Sequence, residues 1–106
     1  MSELITLRQG TGGVINVVHD VDGVPISGIQ AAKYQIFNRN DSAVLTLSLG
    51  NGISWSGGAI AITITAAMAD QLNEFYTHEC AAIDTDGRDL IVLDGPLQFK
   101  PRKVRN

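Results

Sequence analysis

The residues of this chain that could support nucleophilic catalysis are few, and the closest pair is His78 and Cys80. A nucleophilic mechanism needs a serine, threonine or cysteine within hydrogen-bond reach of a base such as histidine. The alternating residues around this pair predict a β-strand, on which both side chains point the same way about 7 Å apart. Because that separation is too long for a direct hydrogen bond, we interpret both as core-facing residues and predict no catalytic site.

Two clusters of acidic residues offer ligands for a cation, and each coincides with a turn. The members are His19, Asp20 and Asp22 in the first cluster and Asp84, Asp86 and Asp89 in the second. Aspartate next to glycine favours a turn, since the carboxylate bonds its own backbone and glycine accepts positive φ. The spacing of a calcium-binding loop and its closing glutamate are absent. We therefore predict turns here, and no metal or other cofactor.

Two glycine clusters and a single tryptophan complete the candidate features. The glycines at residues 10–13 and 57–58 lack the Gly-Lys-Ser/Thr ending of a phosphate loop and precede no long helix, so we predict turns. Trp55 lies among glycines and serines. An exposed indole there would stack on a sugar or contact a partner. A buried indole would lie at the edge of the core, and this is the interpretation we favour.

The elements that position these residues follow from period-two alternation of apolar side chains. In residues 59–65, Ile60, Ile62 and Ile64 alternate with alanine and threonine, which predicts a half-buried strand. Residues 66–72 contain no β-branched side chain and predict a short helix with Thr65 as its N-cap. Similar patterns predict strands over residues 4–8, 14–19, 33–39, 44–49, 53–55, 75–83 and 90–93, and residues 97–99 continue the last of these.

Turn residues and prolines predict how these strands are separated. Turns are expected at residues 20–23, 38–41 and 84–87. Residues 24–28 are expected to form an extended connection, because Pro25 cannot donate to a strand ladder. We expect a kink or bulge at the Gly95-Pro96 pair. The leucines at 45, 47 and 49 are all expected to point inward.

Seven or eight short strands with frequent turns predict an all-β protein. The expected architecture is an immunoglobulin-like antiparallel β-sandwich with one short helix. The length of 106 residues fits one domain, which we place at residues 1–99, followed by a basic C-terminal tail at residues 100–106.

Charge and cysteine content limit the classes of function. Four of the eight basic residues lie in the last seven positions, so residues 1–99 carry four basic against eleven acidic side chains, a formal charge of −7. An acidic body is a poor match for nucleic acid.

Cys80 is the single cysteine, so no disulfide can form within the chain. We expect neither a signal peptide nor a membrane-spanning segment.

Four motifs occur in an order that is typical of a known family. Asp-x-Asp-Gly-x-Pro-Ile followed by glycine is found at residues 20–28, and a strand that ends in an alanine-rich helix at residues 60–72. Residues 76–87 contain an aromatic strand that runs to Asp-x-Asp-Gly, with His78 in place of a second tyrosine. Residues 93–99 correspond to a closing Leu-x-Gly-x-Leu strand. Together they resemble small phage virion domains related to the N-terminal immunoglobulin-like domain of the baseplate upper protein.

The resemblance implies a non-enzymatic bacteriophage virion structural protein, synthesised in the host cytoplasm and assembled into the virion. The role it favours is a tail or baseplate adaptor. A capsid decoration or head–tail joining protein and a carbohydrate-binding module are the alternatives. Its partners would be other virion proteins and further copies of itself in a symmetric assembly, with no nucleic acid and no membrane. The residues expected to contact partners are Leu4, Ile5, Thr6, Leu7, Arg8, Lys100, Arg102, Lys103 and Arg105.

Overall fold

Strands make up most of the described chain. The computed structural model describes residues 5–8, 12–72 and 75–100. For Arg8 and Lys100 it describes the backbone but not the side chain. The elements within these residues are β1 (Ile5–Arg8), β2 (Gly13–Val17), β3 (Asp20–Val21), β4 (Val24–Pro25), β5 (Ile29–Phe37), β6 (Ala43–Leu49), β7 (Gly52–Ser56), β8 (Ala59–Ile64), α1 (Ala66–Asp70), β9 (Phe75–Asp84) and β10 (Asp89–Lys100). The predicted all-β class is confirmed.

Eight of these strands form one hydrogen-bonded sheet that folds over on itself. Their order is β1-β10-β9-β5-β6-β7-β8-β2, while β3 and β4 pair as a separate hairpin. The sheet turns a corner between β6 and β7, which pair in parallel over only two positions, Ser48 with Gly52 and Leu49 with Ile53. The corner divides the sheet into a larger layer (β1, β10, β9, β5 and β6) and a smaller layer (β7, β8 and β2).

The corner depends on a glycine. Gly52 has φ 97°, a conformation that L-residues rarely adopt. A Cβ atom at this position would lie 2.8 Å from Cδ2 of Leu47, which is closer than van der Waals contact allows. Glycine therefore meets two requirements here, one of backbone conformation and one of space.

The core lies between the two layers and uses one side of each long strand. Alternate residues are buried, as the period-two pattern predicted. The larger layer contributes Ala32, Tyr34, Ile36, Leu47, Cys80, Ala82, Leu97 and Phe99, and the smaller layer contributes Ile15, Val17, Ile53, Ile60, Ile62 and Ile64. Full burial of an isoleucine, leucine or phenylalanine stabilises the folded state by about 1.5–3 kcal/mol.

The short helix α1 follows β8 as predicted. Thr65 is its N-cap, with φ −73° and ψ 163°, and its hydroxyl accepts a hydrogen bond from the backbone N–H of Met68 at 3.2 Å. Ala69 and, just beyond the helix, Leu72 are buried in the core. Within the described part of the chain, no helix has the length and apolar character that crossing a bilayer requires.

The structure corrects three details of the sequence-based expectations. Leu49 is 36% exposed rather than inward, because it is the last residue before the corner. The bulge in β10 lies at the register shift between Ile91 and Leu93, and the strand continues through the Gly95-Pro96 pair, where Gly95 has φ 140°. Residues 24 and 25 form β4 instead of a plain connection, since Val24 pairs with Val21 across a tight turn. Two parallel pairings, β1 with β10 and β6 with β7, were also not predicted.

Candidate functional site

The most unusual polar group of the interior is formed by Tyr34 and His78. Strands β5 and β9 pair so that Tyr34 lies opposite Cys80 and Ile36 opposite His78, which makes Tyr34 and His78 diagonal neighbours on the core side. Their side chains are 0% and 2% exposed. The tyrosine hydroxyl lies 2.8 Å from Nδ1 of His78, and the two rings meet edge to face with centroids 5.6 Å apart.

The second ring nitrogen of His78 has no such partner. Nε2 is buried and makes no hydrogen bond within the described residues. If the tyrosine donates to Nδ1, the ring proton sits on Nε2 without an acceptor. If Nδ1–H donates to the tyrosine oxygen, Nε2 carries an unused lone pair. Protonation in either case would place a charged ring, with an N–H that lacks an acceptor, inside the core.

Burial sets the protonation states of this group. It lowers the pKa of His78 from 6.5 to about 4, and the negative charge of Asp94 opposes the shift only in part. Burial also raises the pKa of the Cys80 thiol to about 11, and burial together with Cys80 raises the pKa of Tyr34. All three side chains are therefore neutral at pH 7, and Cys80 lacks the thiolate character that a nucleophilic cysteine needs.

The second acidic cluster is built into its own turn. Oδ1 of Asp84 accepts hydrogen bonds from the backbone N–H groups of Asp86 at 3.0 Å and Arg88 at 2.9 Å, and Oδ2 accepts one from Nε of Arg88 at 2.7 Å. Burial alone would raise the pKa of Asp84, but the hydrogen bonds and charge of Arg88 outweigh it and hold the pKa below its usual value. Both carboxylate oxygens thus stabilise the predicted hairpin.

The first acidic cluster also forms a hairpin turn. Asp22 and Gly23 have φ 54° and 80°, as a two-residue turn between β3 and β4 requires. Across the described residues, no three histidine, cysteine, aspartate or glutamate side chains are grouped so that they could hold a metal ion.

The glycine clusters and Trp55 have structural positions. Gly57 and Gly58, with φ 60° and 84°, form the turn between β7 and β8. A Cβ at Gly12 would lie 2.2 Å from the carbonyl oxygen of Ile64, so this glycine lets the chain pass close to the end of β8. Residues 10 and 11 lie outside the described part of the chain. Trp55 packs against the core, as predicted, but it is only half-buried.

The residues predicted to contact partners fall into two groups. Strand β1 is at one end of the sheet order and pairs in parallel with β10, Ile5 opposite Leu97. Ile5 and Leu7 pack against the core, whereas Thr6 points to solvent. Leu4, Arg102, Lys103 and Arg105 lie outside the described residues, as do the side chains of Arg8 and Lys100. The contact role of both groups stays a prediction.

Sequence reasoning missed the outer face of the larger layer, defined here as the side of β5, β9 and β10 that points away from the core. Phe75, Ile83 and Ile91 lie on this outer face and are 59%, 39% and 52% exposed. The available signal was that the residues of β9 between the core positions include phenylalanine, alanine and isoleucine. Their partners across the strands depend on register, which alternation alone does not specify.

Two of the depressions on the outer face are lined by residues of β5, β9 and β10 together. A groove of about 190 Å³ is lined by side chains of β5, β9 and the start of β10, among them Ala31, Lys33, Ala81 and Asp89. A cleft of about 440 Å³ lies further along the same strands, and its lining includes three carboxylates, Asp41, Glu79 and Asp94, beside Phe37. The outer face therefore combines exposed apolar side chains with concave shape.

Comparison with known proteins supports the fold. No protein-family model matches the chain, and no curated protein matches it. Among solved structures, the chain is similar to CopC from Methylosinus trichosporium OB3b, with a TM-score of 0.59 and 7% sequence identity, over 99% of this chain and 89% of that one. At this identity the likeness shows a shared β-sandwich architecture and nothing about what this chain binds.

Proposed function

We propose that this protein is a non-enzymatic virion structural protein of a bacteriophage, a tail or baseplate adaptor that holds other virion proteins in place. The observation that carries the proposal is the outer face of the larger layer. Ile83 and Ile91 are exposed on neighbouring strands at one end of this face, and Phe75 is exposed at the other end of β9. Exposed apolar surface of this kind marks sites of protein association. The order of the four sequence motifs adds the expectation of a phage virion.

The placement of the polar residues supports association over chemistry. Tyr34, His78 and Cys80 are neutral at pH 7 and closed off from solvent by the two layers. The carboxylate of Asp84 is used by its own turn. What the described residues offer a partner is therefore surface shape and strand edges. Strands β1 and β2 terminate the sheet order, and a terminal strand can pair with a strand of a neighbouring protein.

Mass spectrometry of purified phage particles tests the proposal. Infectious particles of the phage that encodes this chain should contain it at a fixed ratio to the tail proteins. Its absence from such particles would contradict the virion assignment. A ratio that matches the capsid proteins instead would favour the decoration or joining alternative.

A pair of matched variants tests the role of the outer face. Phe75→Ser removes an exposed apolar side chain from this face, and Val24→Ser removes one that is also exposed, at 65%, but lies in the separate β3–β4 hairpin. We expect particles to incorporate less of the first variant and normal amounts of the second. Equal incorporation of both would show that the outer face around Phe75 is not a contact.

A further inference from the structure

One part of the outer face forms a regular grid of six outward-facing side chains on three adjacent strands. The strand register places Ala31, Ile83 and Asp89 in one row across β5, β9 and β10. The next row consists of Lys33, Ala81 and Ile91. We call these six residues the alanine groove. All of them except Ile91 line the hollow of about 190 Å³, together with Ala32 and Ala82.

The shape of the alanine groove is complementary to itself. Ile83 and Ile91 project from the surface, while Ala31 and Ala81 leave space beside them. An isoleucine of one copy can therefore fill the hollow over an alanine of another copy. Interdigitation of this kind is how the faces of two sheets pack together.

The charges of the groove are also complementary to those of a second copy. Lys33 and Asp89 occupy diagonally opposite corners of the grid, about 12 Å apart from the spacing of strands and residues. Both side chains are exposed, and neither forms an ion pair with another described residue. The groove thus holds one charge of each sign on a body whose residues 1–99 carry a formal charge of −7. It is a patch where two copies would not repel each other through like charges.

We infer that the alanine groove binds the alanine groove of a second copy of this chain across a two-fold axis. An axis in the interface, perpendicular to the line from Lys33 to Asp89, exchanges the two corners. Each lysine then lies over the partner copy's aspartate, and both ion pairs form in one arrangement. This reciprocity is the defining property of an isologous interface. The inference deepens the assembly role proposed above and rests on it for its biological meaning.

Charge-reversal variants of the full chain test this inference by analytical ultracentrifugation. The wild type should form a dimer. Lys33→Asp alone and Asp89→Lys alone should each raise the dimer Kd by roughly 10- to 100-fold, because two attractive contacts become repulsive. An equimolar mixture of the two variants should restore association as a heterodimer, since aspartate then faces lysine at both sites. The double variant should restore it as a homodimer.

Asp20→Lys is the matched control for charge. It makes the same change as Asp89→Lys at an exposed position of β3, outside the sheet that carries the groove. We expect it to leave the dimer Kd unchanged within a factor of about two. Circular dichroism of each variant establishes that the fold is retained.

The outcomes separate this inference from the proposed function. A monomeric wild type at every accessible concentration, unchanged Kd in both single variants, or a mixture that stays monomeric would overturn the inference, even if particles contain the protein. A dimer with the expected pattern of variants supports the inference even if mass spectrometry finds no such protein in particles, which would overturn the virion assignment alone.

Discussion

Lowering the pH should reduce the stability of this protein through protonation of His78. The effect should begin at pH values well above those at which most carboxylates titrate. The ring is buried, one nitrogen bonds Tyr34 and the other has no partner within the described residues. In the unfolded chain the imidazole regains its ordinary pKa of 6.5, whereas in the folded state the pKa is about 4. Protons therefore bind the unfolded state more tightly, and stability falls as pH decreases between these two values.

The size of the effect follows from the two pKa values. Each pH unit between them is worth about 1.4 kcal/mol, so the full loss approaches about 3 kcal/mol at pH 4 and below. At pH 5 the loss relative to pH 8 is about 2 kcal/mol, because most of the unfolded chains are protonated there and few of the folded ones are. For a small domain with a total stability of about 5–15 kcal/mol, a change of this size is easily measured.

Urea unfolding at pH 8, 7, 6 and 5 measures the effect, with Trp55 fluorescence or circular dichroism as the signal. His78→Gln is the reference variant, since glutamine is polar but does not titrate. The free energy of unfolding of the wild type should fall by about 2 kcal/mol more than that of the variant between pH 8 and pH 5. Parallel pH profiles for the two proteins would refute the assignment of His78 as a buried, neutral imidazole.

Three further predictions concern local features of the fold. Gly52→Ala should lower the free energy of unfolding by about 2–3 kcal/mol, since it adds both backbone strain and a clash with Leu47. Gly23→Ala is the control, because Gly23 also has a positive φ but has open space around it, and it should lower the free energy of unfolding by about 1 kcal/mol. Equal losses of the two variants in urea unfolding would show that the clash with Leu47 does not contribute. Thr65→Ala should cost about 0.5–2 kcal/mol by removing the cap of α1, and Thr65→Ser should restore most of it; if alanine and serine behave alike, the hydroxyl is not a cap. Cys80 should react with a thiol reagent only after unfolding, because its thiol is buried with a pKa near 11; rapid labelling of the native protein would contradict this placement.

Local patterns predicted much of the fold. The alternation of Ile60, Ile62 and Ile64, the N-cap Thr65 and the turn that begins at Asp84 each depend on residues close in sequence, and each was found as predicted. Such signals reflect the preferred dihedral angles and side-chain directions of neighbouring residues. They specify which side of a strand faces the core, and this was sufficient to predict that His78 is buried.

Features that depend on strand pairing were not accessible in this way. The hydrogen bond between Tyr34 and His78 joins two side chains that are 44 residues apart in the sequence, and the alanine groove combines residues of three strands. The parallel pairing of β1 with β10 likewise joins the two ends of the described chain. Alternation does not say which strands are neighbours or in what register, because many pairings bury the same set of apolar residues. The contact role of the first strand and the basic tail also stays a prediction.

A cryo-electron microscopy map of the native phage particle would show whether this protein belongs to the tail or baseplate and whether its outer face is a contact surface. We expect density for this two-layered sandwich in the tail or baseplate, with Phe75 and the outer face around it buried against an adjacent subunit. A particle without such density, or one in which the outer face points into solvent while other surfaces make the contacts, would contradict it.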